Sequence, residues 1–167
     1  MLVWSDGYSV GVRRIDADHV TLLALLNQLH INLAEEKTGQ ALGPVLAALI
    51  TYADSHFRFE ERLMERFGYP DLAAHRATHD GFRGKIEALL RGAGGEEEVA
   101  RKLRAALNTW LFGHILGEDG RFGAWLRANE CEVGDGDGGG DGDGSGAASP
   151  IARGPRSADC SAGRDLL

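Results

Sequence analysis

Along most of the chain, apolar residues return every three or four positions, which is the helical period. From Asp18 to about Lys37 they are Leu22, Leu23, Leu26, Leu29 and Leu33, with Asp16 or Asp18 placed to cap the start. Gly39 to Gly43 break this segment, and Pro44 stands where a first-turn proline is tolerated. A second stripe runs through Leu46, Leu49, Tyr52 or Ala53, His56, Glu60, Leu63 and Phe67 until Gly68-Tyr69-Pro70 stops it. Leu72, His75, His79, Phe82, Ile86 and Leu89 mark a third helix from Asp71 to about Arg91. After GAGG, the acidic run Glu96 to Glu98 suits the positive end of a helix dipole and opens a fourth helix, with Val99, Leu103, Ala106 or Leu107, Trp110 and His114 inward. Four amphipathic helices with short connections predict an all-α, up-down-up-down four-helix bundle. Ahead of it, Trp4, Tyr8, Val10, Val12 and Ile15 alternate loosely with polar residues, which predicts an extended N-terminal arm over the bundle end, with Trp4 as a packing anchor.

Histidine and glutamate occupy stripe positions where leucine is expected, and a buried carboxylate without a partner is costly. A spacing of four turns a helix by only about 40° from a full circle, so His56/Glu60 in HFRFE and His75/His79 in HRATH each present two ligands to one side. His114 follows Trp110 by four, and His19 precedes Leu22 by three. Any one of these histidines alone reads as a satisfied polar residue in a core. Five of six on apolar stripes do not. The sixth, His30, has no histidine or carboxylate at helical spacing and reads as a bystander. Imidazoles and carboxylates, with no cysteine in the helices, suit iron or another borderline first-row metal, whereas structural zinc more often closes with four ligands. Beyond His114, spacing alone selects Glu118, four residues on, because Asp119 at five lies about 140° away around an ideal helix.

Composition changes the picture at one end. Glycine is 24 of 167 residues, roughly twice the average usage, and ten of these glycines fall between Glu132 and Leu167, a stretch without a single aromatic. That segment includes GDGDGGGDGDGSG and carries seven acids against three arginines, so it holds −4 of the formal charge of −7. It is expected to be a disordered Gly/Asp-rich tail, residues 132–167, after a folded unit of residues 1–131. Calcium binding by the alternating aspartates is disfavoured, since the terminal bidentate glutamate and the DxDxDG order of an EF-hand loop are missing. The acidic balance argues against nucleic acid, and no apolar run is long enough to span a membrane. The N-terminus lacks a charged region followed by an apolar stretch, so no secretory leader is expected. Cys131 and Cys160 cannot build a disulfide framework, and free thiols in the cytoplasm are the expectation.

His19, HFRFE, HRATH and HILGED together resemble the hemerythrin family's pattern H…HxxxE…HxxxH…HxxxxD, and Trp4, Tyr8, Val10, Gly11, Ile15-Asp16-Ala17-Asp18-His19 and FRFEERLMERFGYPDLAAHRATH resemble bacterial members. The resemblance covers residues 1 to about 130. It implies that His75, His79 and His114 bind one iron, His19 and His56 a second, and that Glu60 and Asp119 bridge them. Placing Asp119 rather than Glu118 in that role requires the helix to loosen near Gly117 and Gly120. The implied cofactor is a pair of iron ions, ferrous without O2 and ferric with it, joined by an oxo or hydroxo bridge. Five imidazoles, two bridging carboxylates and the bridge fill eleven of twelve coordination positions, leaving one beside His19 and His56. The resemblance also places Leu111, with Trp110 nearby, at the O2 pocket.

The function implied is reversible O2 binding, for carriage, storage, delivery or sensing, by a protein that is not an enzyme. Related iron bundles that oxidise substrates use Glu-x-x-His motifs, and that spacing is absent from the paired ligands here. The alternatives are a di-iron oxidase, a peroxide- or nitric-oxide-consuming enzyme, or a redox sensor read by an unidentified protein partner. Oligomeric state is left open by the sequence. A metal-free phosphotransfer bundle would need one exposed histidine and leaves seven inward ligands unexplained.

Overall fold

A computed structural model describes residues 1–35, 39–92 and 94–133. Its helices are α1 (Arg13–Ala34), α2 (Gly39–Phe67), α3 (Leu72–Arg91) and a fourth rod made of α4 (Glu96–Gly113), a π-helical segment (His114–Asp119) and α5 (Gly120–Ala128). Among the described residues there is no strand. The helices alternate in direction as the short connections require: α1 packs on α2 and α4, α3 on α2 and α4, and α2 meets α4 across the bundle. Among the described residues no helix is long and apolar enough to cross a membrane.

Two apolar clusters fill the interior. One joins Leu22, Leu26 and Leu29 of α1 to Leu46, Leu49 and Phe57 of α2, Phe82 and Ile86 of α3, and Leu103, Leu107 and Leu111 of α4. The other joins Val10, Val12 and Ile15 to Leu63, Met64, Phe67, Tyr69, Phe122 and Leu126. Every helix crosses from one to the other, and the crossing point on each is a polar residue: His19, His56 with Glu60, His75 with His79, and His114 with Asp119. Each fully buried leucine or phenylalanine contributes about 1.5–3 kcal/mol. The apolar ends thus hold a costly polar layer in place.

Helix ends differ from the expectations in instructive ways. α1 starts at Arg13, not Asp18, and its N-cap Val12 offers no side-chain bond. Asp16 is instead drawn to the arm, accepting from Val10 N (2.8 Å) and Ser9 Oγ (2.7 Å). α2 begins at Gly39, so Pro44 sits in its second turn instead of its first. The arm is not extended throughout, since Asp6–Tyr8 form a 3-10 turn. Gly11 takes φ +84°, and a Cβ on Gly123 would collide with the carbonyl of Val10, so glycine at 123 lets the arm lie directly on α5. Cys131 is half-buried just past α5. Cys160, Lys37 and the Gly/Asp-rich stretch from Gly134 onward lie outside the described residues.

Candidate metal centre

All seven candidate ligands are buried, between 0% and 4% exposed. The bundle gathers them into two groups, His75, His79, His114 and Glu60 on one side and His19, His56, Glu60 and Asp119 on the other. The imidazoles face inward through Nε2. Glu60 Oε1 lies 3.3 Å from His56 and 3.8 Å from His19, while its Oε2 lies 3.4, 3.3 and 3.8 Å from His75, His79 and His114. Asp119 repeats the arrangement. Its Oδ2 is 3.2 Å from His19, and its Oδ1 is 3.1 Å from His114 and 3.6 Å from His75. Each carboxylate therefore offers one oxygen to each group.

The π segment explains how Asp119 gets there. Its wider turn, closed by i to i+5 bonds, brings a residue five positions on back toward the starting face. His114 and Asp119 are its first and last residues. Glu118 is carried outward, where Oε2 faces Nδ1 of His114 at 3.3 Å and of His75 at 3.9 Å. Spacing four thus marked a real contact, though with the back of the ring.

Other carboxylates stand behind the remaining rings. Glu61 accepts from His79 Nδ1 at 2.7 Å, and Arg83 holds Glu61 at 3.1 Å while donating to Asp54 and Asp80. Because an ionised carboxylate can only accept, that bond puts the ring proton on Nδ1 and leaves the Nε2 lone pair inward. Asp18 Oδ2 faces His56 Nδ1 at 3.6 Å, too long for a hydrogen bond, while Asp18 Oδ1 accepts from the Tyr52 hydroxyl (2.7 Å) and Arg14 Nε (3.0 Å). Neither Asp18 nor Glu61 was legible as a site residue, since their partners lie on other helices. Glu118 alone had a local signal.

The aromatic packing is uneven. Phe57 stacks on His79 at 4.0 Å, and Trp110 stacks on both His114 and Phe82 at 4.3 Å. Trp110 therefore stands on the three-imidazole side. Leu111 is buried in the first apolar cluster. Trp4 comes within 6.2 Å of His19, centroid to centroid. His30 is exposed and pairs with Arg104 at 3.0 Å, away from the centre.

These donors fit a cation. His79 Nε2 and His114 Nε2 lie 2.9 Å apart, a distance at which two lone pairs need a proton or a metal between them. Both nitrogens of His19, Glu60 Oε1 and both oxygens of Asp119 are buried without any hydrogen-bond partner, a condition that proteins tolerate where an ion completes the site. Burial and the Glu60 charge push Asp119 up, but His114 and His19 outweigh them and lower it. Burial likewise opposes Glu60, which His56 and the other rings hold well below the usual carboxylate range. His114 is pushed up to about 10, because Asp119 and Glu60 prevail over burial. The arrangement demands positive charge at its middle.

Known proteins resemble this chain. Residues 10–126 match the hemerythrin HHE cation-binding domain. The chain is 38% identical over 130 residues to a bacteriohemerythrin of Stenotrophomonas maltophilia, spanning 77% of this chain and 84% of that protein. It is 36% identical over 133 residues to a bacteriohemerythrin of Pseudomonas aeruginosa, spanning 79% and 86%. A crystal structure of wild-type hemerythrin superposes with a TM-score of 0.64 at 31% identity, over 75% of this chain and 98% of that one. The chain belongs to the hemerythrin family.

Proposed function

We propose that this protein binds O2 reversibly at a pair of non-haem iron ions, held by His75, His79 and His114 on one side, His19 and His56 on the other, and bridged by Glu60 and Asp119. The observation that carries this reading is the split of each buried carboxylate, one oxygen to each imidazole group. Imidazole and carboxylate are the donors that non-haem iron favours, and such a pair supplies two electrons to O2 and recovers them on release. With two imidazoles against three, an ion on the His19 and His56 side would have room for one small ligand.

The chain's own residues do the rest. Glu61 fixes the tautomer of His79, and Glu118 and Asp18 face the backs of His114 and His56. Phe57, Trp110 and Trp4 put aromatic surface against the rings, which excludes water. Among the described residues, nearly every buried polar group near the centre is a candidate ligand or stands behind one, which supports binding over turnover. The folded unit we assign to this role is residues 1–131, and the setting in which O2 is used, carriage, delivery or sensing, is secondary to it.

To test this, the chain is loaded with ferrous iron without air, desalted, and followed in the visible range as air is admitted and removed. A charge-transfer band that appears with O2 and fades when O2 is withdrawn is the expected result. Steady consumption of O2 with a reductant and no oxygenated spectrum would instead favour an oxidase. A colourless protein that retains no iron would sink the reading.

A further inference from the structure

The two sides of the centre are closed by different kinds of wall. Behind the three-imidazole group stand side chains of the bundle itself. A groove of about 720 Å³ between α2 and α3 ends on Phe57, Glu61 and Arg83, and a cleft of about 190 Å³ reaches His75 and Glu118. Both approach the rings from behind, and neither is lined by His19 or His56. Over His19 the wall belongs to the N-terminal arm. Trp4 lies 6.2 Å from its ring, Tyr8 meets Trp4 edge-on at 5.8 Å, and Phe112 of α4 meets Tyr8 at 5.4 Å.

The arm is fastened on both sides of this aromatic row. Asn27 grips Leu2 twice, accepting from its N–H at 2.8 Å and donating to its carbonyl at 2.7 Å. At the other end, Asp16 accepts from Val10 N, Arg127 Nη1 donates to Val10 O at 3.0 Å, and Gly123 leaves space for that carbonyl. Between these two anchors the arm forms its short turn and rests on the bundle through the side chains of Trp4 and Tyr8, packed on His19, Phe112 and the first apolar cluster. A segment pinned at two points and held between them by side-chain packing can lift locally without unfolding the bundle.

We infer that residues 2–10 are a strap, and that Trp4 within it sets the access of small ligands to the His19 and His56 side. The inference rests on the proposed function, which makes that side the one with room for a ligand. Trp4 acts by exclusion: its indole covers His19 and keeps out water and anions larger or more strongly hydrated than O2. Asn27 is a positioning residue that acts only through the Leu2 clamp.

The test uses the full chain, its W4A, W4F and N27A variants, and azide as a linear anionic probe of the oxidised, iron-loaded protein. Iron content and the visible spectrum before azide are expected to be unchanged in N27A, which lies outside the centre. Azide association is expected to quicken by roughly tenfold in W4A, by less in N27A, and hardly at all in W4F. Extraction of iron by a chelator should quicken in the same order. In the metal-free chain, N27A is expected to speed hydrogen exchange at the Leu2 amide while leaving Val10 protected. Should W4A lose iron through misfolding, N27A decides, because it alters nothing nearer the centre than the clamp. Equal azide and extraction rates in the parent chain, W4A and N27A, all with full iron, would overturn the strap alone. Failure of the parent chain to hold iron or bind azide would overturn the O2-binding reading and the strap with it.

Discussion

His79 and His19 reach the same centre from opposite sides, and their surroundings differ in kind. His79 is stacked on Phe57, bonded through Nδ1 to Glu61, and anchored through Glu61 to Arg83. Neither nitrogen of His19 has a hydrogen-bond partner, and the nearest ring outside the helices is Trp4 of the arm. His79 is oriented by the protein before any ion arrives. His19 depends on the ion and on packing. On the proposed reading, the contrast would let one bundle bind one metal position firmly and keep the neighbouring position open to exchange.

The sharpest way to break that comparison is to remove the link. Glu60→Ala takes one oxygen from each group, and both metal positions are expected to empty; iron per chain after desalting should fall from two to near zero while circular dichroism stays helical. Retention of one full equivalent would mean that the groups are independent. Next come single imidazoles. His56→Ala leaves its side with His19 alone and should drop one iron per chain, whereas His79→Ala leaves two imidazoles, as many as the opposite side normally has, and should keep both irons at saturating metal but release one more readily to a chelator. Identical iron counts in the two variants would remove the asymmetry. Smaller effects are expected behind the rings. Glu61→Ala should weaken metal affinity by roughly 10–100-fold, and Asp18→Ala by less, because Asp18 faces His56 beyond hydrogen-bond distance. Chelator competition ranks the two, and the reverse order would mean that Asp18 closes on His56 when metal binds.

Much of this architecture is written in local periodicity. The apolar stripes place four helices, and His19, His56, Glu60, His75, His79 and His114 fall on those stripes at spacings of three and four. What periodicity does not carry are the terms set by other helices. Asp18 sits beside His19 in the chain, yet its partners Tyr52 and His56 come from α2. Glu61 and His79 are eighteen residues apart and meet only after α2 and α3 pack. The start of α1 moved for a similar reason, because Asp16, a reasonable cap by type, is taken by the arm. Glu118 and Asp119 show the limit most clearly. An ideal α-helix puts Glu118 on the His114 face, and only the π segment turns Asp119 into the centre. Trp4 read as packing, and its place against His19 depends on an arm whose path is fixed by Asn27 and Gly123.

The central claim is that two carboxylates join two imidazole groups into one paired centre. It is tested most directly by loading the chain with iron-57, exposing it to air, counting the iron, and recording its low-temperature Mössbauer spectrum. Two irons per chain are expected, present as ferric ions coupled to a non-magnetic ground state through their shared bridges. One iron per chain, or two that behave as isolated high-spin ferric ions, would contradict it.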